Sequence, residues 1–164
     1  MKILFISKEA DYELIKKMAQ QVKSSEDFIL LLTAAFHYRK DDSCVAIVVK
    51  ELSNQEISYK IWLEVLNYKD PWYFRISSSL ERLTLSRIFE SEVDPEIIVS
   101  ISYDYFKKST YSTSIMLSAL SNAKISPNKW QEIRDLSTRK EIKTIAQEKI
   151  SQLRRAENQQ ICQT

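Results

Sequence analysis

The stretch Asp94–Phe106, DPEIIVSISYDYF, decides how this chain is read, because it carries two incompatible periodicities. Val99, Ile101, Tyr103 and Tyr105 alternate with polar residues in the period of two that suits a half-buried strand. Ahead of them stands Asp94-Pro95, a capping residue followed by a proline at the first helical position. There the missing amide hydrogen would have had no intrahelical partner, and the fixed φ suits a helix. The same arrangement recurs at Asp70-Pro71 and Ser126-Pro127, which accounts for all three prolines. The 164 residues also contain no glycine. Sheets need tight corners, and two-residue hairpin turns depend on positive φ, which glycine adopts at least cost. The stretch is therefore read as a helix over 95–107. The chain is read as all-α, with antiparallel helical pairs forming a short α-solenoid or an irregular helical bundle. The alternative is an α+β fold with strands near 2–6, 44–49 and 98–105.

The apolar spacing elsewhere agrees with helices. Leu14, Ile15, Met18, Ala19 and Val22 share one helical face, as do Ile57, Ile61, Trp62, Val65 and Leu66, and again Ile142, Ile145, Ala146 and Leu153. Further helices are expected over 26–39, 83–91, 110–122 and 127–136, with short links that set neighbours antiparallel. Asp42, Asn54 and Thr138 are suited to capping, and Thr138 with Glu141 has the spacing of a capping box. One helical domain is expected over 1–155, followed by a flexible polar tail at 156–164.

The lack of glycine also excludes chemistry. Phosphate loops, dinucleotide fingerprints, nucleophile elbows and EF-hand loops all require it. Only two cysteines are present, Cys44 and Cys162, so neither a disulfide framework nor a zinc-ligand spacing exists and a cytoplasmic location is expected. Lys2 precedes only four apolar residues, shorter than a secretory signal requires, and the longest apolar run, Phe28–Phe36, is too short to cross a bilayer. No membrane association and no cofactor are expected. Charge is nearly balanced at 24 basic and 22 acidic residues, but residues 124–164 hold nine basic against five acidic side chains. The carboxy-terminal quarter is mildly basic.

Asp70-Pro71 and Asp94-Pro95 lie 24 residues apart, and each opens two successive apolar segments. Here the chain resembles helical-repeat proteins of the HEAT type, and the Asp-Pro start with its period resembles the leucine-rich-repeat variant, over residues 42–122. The resemblance implies a solenoid whose helix pairs bury their apolar faces against neighbours. Phe74-Arg75 fits the variant family's pattern in part, whereas Ile98-Val99 lacks the arginine and neither unit has the later proline. The family's cysteine cluster is absent as well.

Several groups have residue types that could carry chemistry. His37 is the sole histidine, and it could serve Cys44 as a base across the turn at Asp41-Asp42, although Cys44 sits in an apolar run that suits packing. Asp41-Asp42 and the group Glu90, Glu92, Asp94 and Glu96 lie at expected helix starts, where capping and the helix dipole favour negative charge. Tyr105, Lys107 and Lys108 interleave aromatic and cationic side chains as a single-strand nucleic-acid surface would. On the last helix, Arg139, Lys140, Lys143 and Arg154 fall on one arc at the helical period. These seven residues are the candidate binding residues. The expectation is a non-enzymatic protein–protein interaction module, an adaptor, regulator or immunity-type binding protein. The alternative is a nucleic-acid-binding helical protein using the basic last helix. Self-association is a third use, with Trp62, Trp72, Trp130 and the tyrosines as available anchors.

Overall fold

The computed structural model describes residues 8–38, 42–67 and 78–161, with side chains over 13–35, 46–67 and 78–159. The described residues form nine helices and no strand: α1 Lys8–Gln20, α2 Ser25–Tyr38, α3 Asp42–Ser53, α4 Tyr59–Leu66, α5 Ser78–Phe89, α6 Pro95–Phe106, α7 Thr110–Asn122, α8 Pro127–Leu136 and α9 Lys140–Ile161. The fold is all-α. Segments 44–49 and 98–105, the strands of the α+β alternative, lie inside α3 and α6, while 2–6 falls outside the described residues. The side chains of His37 and Cys44, and the whole of Asp70-Pro71, Trp72 and Cys162, also lie outside them. Of the two Asp-Pro starts, the structure thus describes only Asp94-Pro95.

α6 shows why the strand-like alternation lost. Its buried residues are Pro95, Ile98, Val99, Ser102 and Tyr105, at the spacing of three and four that a helix presents to one side. Ile101 and Tyr103, which a strand would bury with Val99 and Tyr105, stay half-exposed. Burying Ser102 costs little because its hydroxyl donates to the Ile98 carbonyl at 2.8 Å. Thr84 does the same with Leu80 in α5, at 2.9 Å.

No described residue has positive φ. Helices therefore end without the left-handed residue that glycine usually supplies. Asn67 and Lys107 close α4 and α6 at φ −91° and −83°, and Ala123 and Ser137 leave α7 and α8 directly into extended backbone at ψ 139° and 138°. Starts rely on serine. Ser58, Ser109 and Ser126 accept from backbone amides of α4, α7 and α8, and Ser24 accepts from the Asp27 amide at the head of α2. Two expected caps move accordingly. α4 begins after Ser58 rather than Asn54, and α9 begins at Lys140, which leaves the Thr138 hydroxyl to pair elsewhere.

The chain divides into two compact units, Met1–Thr84 and Leu85–Thr164, with the division inside α5. In the first, α1, α2 and α3 pack on one another and α4 packs on α2. Phe28 and Trp62 meet edge to face, ring centres 5.0 Å apart at 75°. Gln55 ties the α3–α4 link to the end of α1 by donating to the Ala19 carbonyl at 2.6 Å. In the second unit α6 packs on α7 and α8, and α9 packs on α8 and α7. Tyr105, Trp130, Ile98, Met116, Ile133, Ile142 and Ala146 fill the space between them. The last helix continues through Ile161, beyond the point where the sequence reading placed its end.

Candidate interaction surface

α8 lies against α6 on one side and α9 on the other, and it forms a low ridge with a shallow, open groove along each flank. Trp130 and Ile133 point into the core, so Gln131, Glu132 and Asp135 are left outward. The groove towards α6 is lined by Asp94, Pro95, Glu96, Glu132, Asp135 and Leu136, four carboxylates and no cation. The groove towards α9 is lined by Arg134, Lys140 and Lys143 together with Thr138, Thr144 and Gln147, with Asp135 and Glu148 as its only carboxylates. Asp135 stands on the crest between the two.

Arg134 lines the second groove with its side chain partly exposed. Its guanidinium donates to the Asp135 carboxylate at 2.9 and 3.0 Å and reaches across to Gln147 on α9 at 3.0 Å. Hydrogen bonds from Gln131 and then Arg134, with the nearby charge of Lys143, hold the Asp135 carboxyl below the usual carboxylate range. Lys140 and Lys143 are exposed and sit in the first turn of α9, where unpaired amides already make the helix end positive. Glu132 and Asp135 sit in the last turns of α8, whose end is negative. Both sets of charge are placed where their own helix disfavours them.

The carboxylates that sequence reading grouped as Glu90, Glu92, Asp94 and Glu96 divide in the structure. Glu90 accepts from the Lys124 amide at 3.2 Å, and Glu92 pairs with Lys129 at 3.3 Å. Lys129 also donates to the carbonyls of Ser91 and Val93, both at 3.2 Å, and so fastens the α5–α6 link to α8. Asp94 occupies the cap position of α6, yet its side chain makes no capping hydrogen bond. It faces the acidic groove with Glu96 instead.

The expected binding residues are only partly brought together. Lys140 and Lys143 share the groove beside α9, and Arg139 lies next to it with its guanidinium carbon 4.8 Å from the centre of the Phe106 ring. Arg154 lies about 16 Å further along α9 than Lys143, at 1.5 Å per residue, and belongs to a separate exposed stretch. Tyr105 is 1% exposed, so its ring is not offered to a base. Lys108 covers that ring at 3.8 Å, and Lys107 pairs with Asp104 at 2.8 Å. Sequence reading missed Arg134, Glu132 and Asp135, whose importance comes from the ridge on which packing sets them. It also missed the contact of Tyr103 with Thr138, made between residues 35 positions apart.

No group of three or more His, Cys, Asp or Glu side chains among the described residues is placed to hold a metal, and no described helix is long and apolar enough to cross a membrane. No family model, curated protein or solved structure matches the chain.

Proposed function

We propose that the chain is a non-enzymatic protein–protein interaction module of the cytoplasm, acting as an adaptor, regulator or immunity-type binding protein, and that α8 with its two flanking grooves is its contact surface. One observation carries the reading: opposite charges are sorted to the two sides of one helix, with Leu136 43% exposed beside them. A protein partner offers both signs of charge and an apolar contact. A phosphate backbone offers only one sign, and the carboxylates of the acidic groove repel it across the width of one helix. The basic groove itself holds three cations against two carboxylates, a weak bias for a nucleic-acid site.

The test places a photoreactive residue at Thr144, in the basic groove, and at Glu56, exposed in the link before α4. Irradiation in intact host cells is expected to give defined protein adducts from Thr144 and none of the same mass from Glu56. Adducts to nucleic acid alone, or the same set of adducts from both positions, would sink the reading.

A further inference from the structure

We infer that the α8 surface is self-complementary and that a second copy of this chain binds there, paired about a two-fold axis that passes close to the crest of the ridge. The inference rests on the same surface as the reading above and names its occupant. A two-fold axis that runs along the crest, parallel to α8, lays the acidic groove of one copy on the basic groove of the other, and the reverse, in a single operation. Asp94, Glu96 and Glu132 of each copy then face Lys140 and Lys143 of its mate. The complementarity is satisfied twice with no further partner.

Three observations favour this occupant over others. Lys140 and Lys143 at the positive end of α9, and Glu132 at the negative end of α8, are disfavoured by their own helices and gain an opposite charge in the pair. Asp94 holds a cap position without capping, which leaves its carboxylate available to a cation from outside. Leu136, 43% exposed and lining the acidic groove next to the crest, supplies an apolar contact near the axis, where it would meet the Leu136 of the second copy. A uniformly acidic or uniformly basic partner would match only one of the two grooves.

Charge reversal tests the pairing on the full chain by sedimentation equilibrium and native mass spectrometry. The wild type is expected to dimerise at about 50 mM salt and to dissociate towards about 500 mM, because exposed pairs are screened. Lys140→Glu with Lys143→Glu, and separately Glu96→Lys with Glu132→Lys, should each raise the dissociation constant roughly tenfold or more. An equimolar mixture of the two double variants should restore a dimer containing one of each. Neutral Lys140→Gln with Lys143→Gln should fall between wild type and the reversed form, which covers the case in which a reversal disturbs folding. Circular dichroism of each variant reports that the helices persist. A wild type that stays monomeric at low salt, a mixture that stays monomeric, or an open-ended series of larger species would overturn the two-fold pairing. If self-association fails while Thr144 still yields adducts with a different protein, the pairing falls and the interaction reading stands. If Thr144 yields no protein adduct, both fall.

Discussion

The phenol of Tyr103, near the end of α6, lies 2.7 Å from the hydroxyl of Thr138 in the link between α8 and α9, and it also accepts the Thr138 backbone amide. This contact fixes the entry of the last helix. Beside it Ser137 accepts the Arg139 amide at 3.2 Å, and the Arg139 guanidinium covers Phe106, one turn along from Tyr103. Replacing Tyr103 with phenylalanine keeps the ring and removes its oxygen. The expected loss is about 1 kcal/mol of unfolding free energy, the usual net worth of a hydrogen bond. Urea denaturation measures it, and an unchanged midpoint would show that the latch contributes nothing.

The same contact sets a pH dependence. Hydrogen bonds from the Thr138 side chain and then its backbone amide favour the phenolate and lower Tyr103 from 10.0 to about 8. The folded value lies below the unfolded one, so the added stability is complete above pH 10 and is lost as pH falls through about 8. Relative to Tyr103→Phe, the wild type should gain stability as pH rises from 8 to 10. A difference between the two proteins that stays flat over that window would exclude a phenolate held by Thr138.

Lys129 should matter more than an ordinary surface lysine. Its ammonium group donates to two backbone carbonyls, Ser91 and Val93, and its side chain is only 22% exposed. Lys129→Met retains most of the aliphatic stem and strands those carbonyls, at an expected cost of about 1–2 kcal/mol. The pair with Glu92, 95% exposed, contributes little by comparison. Glu92→Gln is therefore expected to leave the denaturation midpoint nearly unchanged, and an equal loss in both variants would contradict this division.

Serine and aspartate caps should respond differently to alanine. Ser109 accepts the Ser112 amide at 3.2 Å, and its removal should cost about 1 kcal/mol. Asp94 makes no such bond, so Asp94→Ala should cost clearly less, and it also removes one of four carboxylates crowded in the acidic groove. Paired thermal melts of the two variants compare the costs directly. A larger loss at Asp94 would mean that its carboxylate caps α6 in solution.

Helix positions were legible where the signal is local. The expected ranges 110–122 and 127–136 coincide with α7 and α8, and for α8 the signal is local, since the Ser126-Pro127 cap and the first turn lie within a few residues of each other. α6 was legible once Asp94-Pro95 was weighed against the alternation that follows, although the capping bond expected of Asp94 is not made. α5 takes in Ser78–Phe89 and so includes the residues just ahead of 83, where the sequence reading set its start. Thr138 had the spacing of a cap and lost that role to a tyrosine 35 positions away.

The amino-acid order alone determined that this chain is built from helices closed by ordinary corners. Missing glycine, prolines behind capping residues and a period near 3.6 act over distances of one turn, within which the backbone chooses its hydrogen bonds. Only packing decided which charges meet. Asp94 and Glu96 come from α6, Glu132 and Asp135 from α8, Lys140 and Lys143 from α9, and they stand on two sides of one ridge because Trp130 and Ile133 turn the inner face of α8 into the core. That orientation is set by burial among three helices at once, and no local pattern in the sequence encodes it.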